Sequence, residues 1–165
     1  MTDSNYAHML DQEAALWGRV AEEQAASVPP DWRYHRALRH NVIMHTADIE
    51  ALLGRVTPGM RALEIGCGAG WLTLALAQRG AHAHGLDISS KAIAIARTYY
   101  ESIKNEVSGR ATYDVADLNA IQLPPEQYDL VVAKGVLHHL VNMDRVIEQL
   151  HRTLKPGGLL WVHDT

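Results

Sequence analysis

A carboxylate and three closely spaced glycines form the segment of this sequence best suited to binding a nucleoside. Glu64 stands two residues before a Gly-x-Gly-x-Gly run made by Gly66, Gly68 and Gly70. Glycines permit positive φ angles and let the backbone approach a ligand closely, and the free N–H groups at the start of a following helix face that ligand. Such turns also occur for purely geometric reasons, so the loop alone leaves a structural role open.

Asp87 and Trp71 narrow the choice of ligand. Asp87 ends a second apolar run, where a carboxylate can accept hydrogen bonds from both ribose hydroxyls of an adenosine group. A dinucleotide-binding loop requires a third glycine at the position of Trp71, and Glu64 would repel a pyrophosphate but attract an ammonium or sulfonium group. The sequence therefore favours S-adenosylmethionine over NAD as the cofactor, with S-adenosylhomocysteine as the product.

Histidines near the ends of strands are the candidates for acid–base chemistry. His138 and His139 follow the fourth predicted strand, on the side of the sheet where ligands bind, and histidine is the usual base near neutral pH. Packing or capping of the next helix is the alternative role for this pair. His82 and His84 share one face of the second predicted strand without an evident acidic or cysteine partner, so we predict no metal site.

Short apolar runs alternate with helical patterns from residue 58 onward. Strand patterns cover Arg61–Ile65, Ala81–Ile88, Ala111–Val115, Tyr128–Ala133 and Gly158–His163. Helical patterns fill the first, second and fourth connections, whereas residues 118–125 are too few for a confident helix assignment. This alternation predicts right-handed crossovers and a doubly wound, mainly parallel sheet in an α/β fold, with ligands at the carboxyl ends of the strands.

The first 57 residues have a different, helical pattern. One face of the first predicted helix carries Leu10, Ala14, Trp17 and Ala21. We predict a helical cap over residues 1–57 and the cofactor-binding domain over residues 58–165. The cap is expected to close part of the pocket as a lid, with Tyr34 and Arg36 as candidate contacts. A pair of helices that only buries apolar surface is the alternative.

The composition argues against several classes of protein. The chain has 165 residues, of which 47% are apolar, and this suffices for one packed core. Its 15 basic and 19 acidic side chains form no block of like charge, which argues against a nucleic-acid partner. Cys67 is the single cysteine, and no apolar run approaches the roughly 20 residues that span a bilayer. We expect a cytoplasmic protein without a signal peptide or a membrane span.

The order and spacing of six motifs carry a family resemblance. The motifs are Leu63–Gly70, Gly85–Ser89, Asp114–Leu118, Tyr128–Val132, Val136–Leu140 and Leu154–Gly158. Residues 57 to 165 thereby resemble the class I S-adenosylmethionine-dependent methyltransferases, particularly the group that acts on small molecules. The resemblance implies a Rossmann-like sheet with the strand order 3-2-1-4-5.

The resemblance also implies which residues contact the methionyl part of the cofactor. Glu64, Gly66 and Gly68 would lie along this part. Lys134 would offer its main-chain carbonyl to the methionyl ammonium, and its side chain need not take part.

The adenosine part is assigned in the same way. Asp87 would hold the ribose, with Ile88 against one face of the adenine. Asp117 would accept a hydrogen bond from the exocyclic amine of adenine, next to the backbone N–H of Leu118. The rest of the implied cofactor-binding set is Cys67, Gly70 and Ala116.

The activity implied by the resemblance is methyl transfer to a small-molecule acceptor by in-line displacement. The protein mainly aligns the reactants and excludes water in such a reaction. Complete family members continue past a fifth strand, so we predict that this sequence is a piece of a longer protein. The apolar last strand would then form an exposed edge that could pair with a second copy in a homodimer. An NAD-dependent oxidoreductase and a non-catalytic cofactor-binding or dimerisation module are the alternatives.

Overall fold

A computed structural model describes residues 3–35 and 46–164 of the chain. These residues contain six α-helices and five strands. The helices are α1 (Asp3–Ser27), α2 (Trp32–His35), α3 (Thr46–Leu53), α4 (Trp71–Gln78), α5 (Ser90–Ile103) and α6 (Met143–Thr153). The strands are β1 (Arg61–Ile65), β2 (His82–Asp87), β3 (Arg110–Val115), β4 (Tyr128–Lys134) and β5 (Leu154–His163).

The five strands form one parallel sheet in the order β3-β2-β1-β4-β5. Glu64 of β1 is paired with Gly85 of β2 on one side and with Val132 of β4 on the other. Because all strands are parallel, their carboxyl ends meet at one edge, and the chain reverses its direction of winding between β1 and β4. The predicted doubly wound α/β fold and its strand order are confirmed.

Apolar side chains cover both faces of the sheet. On one face, Leu72 of α4 and Ile93 of α5 are buried in a cluster that also contains Val132. On the other face, Val146 and Leu150 of α6 are buried in a second cluster. The sheet is therefore the middle layer between helices, as a parallel sheet requires.

Two connections test details of the sequence prediction. Between β3 and β4, the chain forms only a 3₁₀ turn at Leu118–Ala120. The last strand was predicted to start at Gly158, but β5 starts at Leu154, directly after α6. The pairing of β5 with β4 contains a register shift between Tyr128 and Leu130, and Gly157 has a φ of 79° in this irregular stretch. The Pro-Gly-Gly sequence thus interrupts the ladder without delaying the start of the strand.

Helix α1 packs against α5. Gly18 allows this approach, since a Cβ atom there would be 3.0 Å from the Lys91 side chain, and Glu22 forms an ion pair with Lys91 at 3.1 Å. Tyr34 is exposed, and Arg36 lies outside the described residues. Among the helices of residues 3–35 and 46–164, none is long and apolar enough to cross a membrane.

Candidate cofactor-binding site

The glycine loop joins β1 to α4 at the carboxyl edge of the sheet. The loop is fixed to β2, because Gly66 and Cys67 both donate backbone hydrogen bonds to the carbonyl of Leu86. Gly66 and Gly70 have φ angles of 69° and 83°. A Cβ atom at Gly66 would lie 2.4 Å from Val136, and one at Gly70 would lie 2.5 Å from Tyr113. These two glycines are required by the packing of the protein itself.

Gly68 differs from the other two glycines of the loop. Its φ is 53°, yet a Cβ atom there would meet nothing within 4 Å. Its backbone N–H donates to Asp87 Oδ2 at 2.8 Å. Since the protein does not fill the space beside it, Gly68 is where a ligand can approach the loop backbone closely.

Asp87 is a buried carboxylate at the end of β2. Its Oδ2 accepts from Gly68 and its Oδ1 accepts from the backbone N–H of Ser89, each at 2.8 Å. Burial raises the pKa of Asp87, and these backbone N–H groups oppose the rise. Each carboxylate oxygen of Asp87 accepts one backbone hydrogen bond and can accept another. The two oxygens are therefore suited to bind two adjacent hydroxyl groups of a ligand.

The Glu64 side chain is buried behind the loop. The hydroxyl of Thr73 on α4 donates a short hydrogen bond to Glu64 Oε2. Burial raises the pKa of Glu64 to about 8, while the Thr73 hydrogen bond and the charge of Lys134 act in the opposite direction. Burial also raises the pKa of the Cys67 thiol, so this cysteine stays protonated at neutral pH.

The raised pKa of Glu64 predicts how stability depends on pH. The ordinary value of 4.5 applies to the unfolded chain and about 8 to the folded one, so the folded state binds more protons between them. The free energy of unfolding should therefore fall as pH rises through this window, by about 1.4 kcal/mol per pH unit from this group. Urea unfolding at several pH values should show a smaller fall for Glu64→Gln than for the wild type. Glu148→Gln, on the exposed side of α6, should retain the wild-type slope.

A cavity of about 200 Å³ opens at the carboxyl edge of the sheet, beside the glycine loop. It brings together most of the side chains and backbone segments expected from the sequence. These are Glu64, Gly66, Cys67, Gly68, Asp87, Ile88, Asp117, Leu118, Lys134 and His139. Three other expected residues do not line the cavity, namely Gly70, Ala116 and His138.

Helix α1 forms the wall of the cavity opposite the sheet. It contributes residues that the sequence had not marked as site residues, namely Glu13, Trp17, Val20, Ala21 and Gln24. Trp17 and Ala21 belong to the face of the helix that was predicted to be buried, so the helical period did contain a signal. That signal could not distinguish burial against the protein core from contact with a ligand.

Asp117 follows β3 and has two partners. Its Oδ1 accepts a hydrogen bond from the backbone N–H of Asn119, so the Asp117 side chain caps the 3₁₀ turn. Its Oδ2 accepts a hydrogen bond from the Tyr6 hydroxyl at 2.8 Å. Burial and the hydrogen bond to Asp117 raise the pKa of Tyr6 to about 12. The expected adenine acceptor is thus also a contact point for α1.

The two neighbouring histidines differ in their surroundings. His139 lines the cavity, with its Nδ1 atom 3.5 Å from Glu13 Oε1 and its ring packed edge-on against Trp17 at a centroid distance of 5.1 Å. His138 is instead held by Asp164, which accepts from the His138 backbone N–H and lies 2.6 Å from His138 Nδ1. The structure therefore distinguishes His139, which lines the cavity, from His138, which Asp164 holds. The sequence alone could not make this distinction.

His84 has an acidic partner, contrary to the expectation from the sequence. Its Nε2 atom lies 3.0 Å from Asp114 Oδ2 and its Nδ1 atom lies 3.1 Å from the Tyr128 hydroxyl. Asp114 is on the neighbouring strand β3 and was missed because its spacing in the sequence does not reveal cross-strand pairing. Within the described part of the chain, no group of three or more His, Cys, Asp or Glu residues is arranged to hold a metal ion.

Comparison with known proteins places this arrangement in a family. Residues 63–162 match the model of the methyltransferase domain family. The ubiquinone biosynthesis O-methyltransferase of Pseudomonas aeruginosa (strain UCBPP-PA14) is 34% identical over 107 residues, which cover 63% of this chain and 44% of that protein. The chain thus spans less than half the length of this curated relative.

Solved structures agree with the sequence match. An S-adenosylmethionine-dependent methyltransferase from Mesorhizobium loti has a TM-score of 0.60 and 30% identity, covering 70% of this chain and 51% of that one. Phosphoethanolamine N-methyltransferase 2 of Haemonchus contortus was solved in complex with S-adenosyl-L-methionine. It has a TM-score of 0.60 and 30% identity, covering 70% of this chain and 26% of that one. The chain therefore belongs to the methyltransferase domain family, within the class I S-adenosylmethionine-dependent methyltransferases.

Proposed function

We propose that this chain binds S-adenosylmethionine in the cavity between α1 and the sheet and transfers its methyl group to a small-molecule acceptor. The observation that carries the proposal is Asp87, a buried carboxylate whose two oxygens face the glycine loop and the start of α5. A second acid, Asp117, lines the same cavity from the loop after β3. Together they suit the ribose and the adenine of one adenosine group.

The residues of the cavity fit the rest of the cofactor as well. Glu64 supplies an acidic group behind the loop, and burial raises its pKa to about 8. A cationic ligand group would favour the ionised form of Glu64, whereas a pyrophosphate would oppose its ionisation. Gly68 leaves its side of the loop open, and the apolar side chains of Ile88 and Leu118 also line the cavity. This combination favours a sulfonium nucleoside and opposes NAD.

The reaction that this site suits is an in-line displacement. When bound, S-adenosylmethionine would supply an activated methyl group whose leaving group is a neutral thioether. The residues of this chain then have two tasks, which are to align the acceptor and to exclude water. Helix α1 would serve the second task, since Trp17, Val20 and Ala21 cover the cavity with apolar surface.

His139 is the residue we propose as the general base. Its ring lines the cavity, and its Nδ1 atom faces the carboxylate of Glu13, which leaves Nε2 on the opposite side of the ring to accept a proton. Trp17 restricts the ring from its edge. His138 is assigned a structural role instead, because Asp164 holds both its backbone and its ring.

The acceptor we propose is a small molecule with a hydroxyl or an amine to be methylated. This class is supported by the names of the similar proteins, which include a ubiquinone biosynthesis O-methyltransferase and a phosphoethanolamine N-methyltransferase. A base in the cavity helps most with such acceptors, because they lose a proton during transfer.

Three further expectations from the sequence stay predictions, namely a cytoplasmic location, no nucleic-acid partner and a homodimer through the last strand. The strand β5 lies at the edge of the sheet, where Leu159 and Val162 are exposed. An edge of this kind is suited to pairing with another strand. Gel filtration of the wild type and of Val162→Lys would test whether β5 joins two copies.

Gly68 offers a direct test of the cavity as the cofactor site. We expect Gly68→Ala to weaken S-adenosylhomocysteine binding roughly tenfold or more, since a methyl group would occupy the open side of the loop. Gly59→Ala is the matched control, because Gly59 also has a positive φ, 84°, with nothing near its Cβ position, but it does not line the cavity. Both variants should lose about 1–2 kcal/mol of stability from backbone strain. Equal affinity in the two variants, measured by calorimetry, would argue against this site.

A further inference from the structure

A second cavity, of about 350 Å³, opens at the amino ends of the strands, and it shares no lining residue with the cavity beside the glycine loop. The first residues of β1, β2, β3 and β4 all line this amino-end cavity, namely Arg61, His82, Arg110 and Tyr128. Among the described residues, no acidic side chain lines it. The end of the sheet opposite the proposed cofactor site therefore carries a basic and polar cavity.

Basic residues stand side by side at the start of three neighbouring strands. His82 is paired with Arg61 of β1 on one side and with Arg110 of β3 on the other, so the three side chains are on one face of the sheet. Since neighbouring strands are about 4.8 Å apart, the Cα atoms of the two arginines are separated by roughly 10 Å. Like charges in such positions repel each other and destabilise the sheet. An anion bound between the two guanidinium groups would convert this repulsion into attraction.

The protein does not neutralise these basic groups inside the amino-end cavity. In the described part of the chain, the side chains of Arg61, His82 and Arg110 form no ion pair and no hydrogen bond. The Arg61 guanidinium lies over the ring of Tyr128 at 6.0 Å, whereas the Arg61 backbone N–H donates to Asp129 Oδ2. The charges of both guanidinium groups are thus available to a ligand.

The acidic residues that adjoin the amino-end cavity have other cationic partners. Asp114 forms an ion pair with Arg97 at 2.7 Å and also faces His84 at 3.0 Å. Asp129 forms an ion pair with Lys155 at 2.8 Å. Neither carboxylate lines the cavity, so neither would oppose an anion inside it by direct contact.

We propose that the amino-end cavity binds the phosphate group of a small phosphorylated molecule, with Arg61 and Arg110 as its guanidinium donors and His82 between them. Guanidinium groups match phosphate oxygens in both charge and hydrogen-bond geometry. The basic groups span only three strands, and the formal net charge of −4 on the whole chain opposes binding of a long polyanion. This site is separate from the cofactor cavity, so the proposed methyl transfer can fail without affecting it.

Calorimetric titration with inorganic pyrophosphate, in a phosphate-free buffer of low ionic strength, tests this inference. We expect saturable binding to the wild-type chain and a roughly tenfold loss of affinity in each of Arg61→Gln and Arg110→Gln. Arg145→Gln is the matched control, because it removes the same charge from an exposed position of α6 that lines neither cavity. Saturation with S-adenosylhomocysteine should leave pyrophosphate binding unchanged. Thermal unfolding of each variant checks that the fold is retained.

The outcomes that would overturn the inference are equally specific. They are the absence of saturable pyrophosphate binding, an equal loss of affinity in all three variants, and displacement of pyrophosphate by S-adenosylhomocysteine. Tighter binding of an oligonucleotide or of vesicles that contain phosphatidylserine, lost in the Arg61→Gln variant, would overturn the assignment to a small ligand.

Discussion

The His139→Ala variant is expected to transfer methyl groups about a hundredfold to ten-thousandfold more slowly than the wild-type chain, because it lacks the proposed base. His139 is the histidine that lines the cavity, and Glu13 faces one of its ring nitrogens at 3.5 Å. The rate can be followed with tritium-labelled S-adenosylmethionine and hydroxyl or amine acceptors that the wild type methylates. Binding of S-adenosylhomocysteine should change far less than the rate, since the loss concerns proton removal.

His138→Ala is the matched control for this prediction. The two residues are neighbours, but the His138 ring is held by Asp164 at 2.6 Å and does not line the cavity. This variant should retain nearly the wild-type rate. A similar loss in both variants would assign the effect to the structure of the loop, and an undiminished rate in His139→Ala would remove the histidine from the chemistry.

The second large effect is expected for Asp87→Ala, which should weaken S-adenosylhomocysteine binding by roughly a hundredfold to ten-thousandfold. A buried carboxylate that accepts from two ribose hydroxyls contributes charge-assisted hydrogen bonds of about 1.5–3 kcal/mol each. Asp87→Asn keeps the size of the side chain and one acceptor oxygen, so its loss should be intermediate. Isothermal titration calorimetry gives the affinities of all three proteins.

Two controls accompany Asp87→Ala. The backbone N–H groups of Gly68 and Ser89 lose their acceptor in this variant, so thermal unfolding must show that the loop and the fold persist. Asp114→Ala removes an exposed carboxylate from β3. This carboxylate forms an ion pair with Arg97 at 2.7 Å and does not line the cavity. Unchanged affinity in Asp87→Ala, or an equal loss of affinity in Asp114→Ala, would contradict the assignment of Asp87 as the residue that binds the ribose.

Much of the fold was predictable because its signals are local. The apolar runs of β1 and β4 are bounded by glycine, proline and charged residues, and the glycine loop follows β1 directly, so element types and their order could be read from the sequence. The start of β5 was predicted four residues late. Pro156 and Gly157 looked like the end of a turn, whereas the structure accommodates them within an irregular ladder.

The sheet side of the site was predictable for the same reason. Asp87 and Asp117 each follow or end a strand, and parallel strands bring such positions to one edge. The α1 side was not predictable, because its contacts join residues far apart in the chain. Tyr6 meets Asp117 across 111 positions, and Glu13 meets His139 across an even longer interval. Helical periodicity gives the buried face of α1 but not the surface that it covers.

The difference between His138 and His139 has a similar origin. Consecutive residues in a 3₁₀ turn point in different directions, and the turn at Leu137–His139 directs one ring to Asp164 and the other to the cavity. Which ring takes which direction depends on the path of the backbone after β4. That path is set by Gly135, which has a φ of 60°, and by the packing of Val136 against Gly66.

The cofactor is the central claim of this account, and calorimetric titration of the wild-type chain with S-adenosylhomocysteine and, separately, with NAD tests it most directly. We predict saturable binding of S-adenosylhomocysteine to one site and no measurable heat of binding with NAD. Trp71 stands where a pyrophosphate-binding loop has glycine, and Glu64 behind the loop gains an ionic interaction only with a cationic ligand group. Tighter binding of NAD would contradict the account in favour of an oxidoreductase. Binding of neither ligand by a cooperatively folded chain would contradict it in favour of a non-catalytic module.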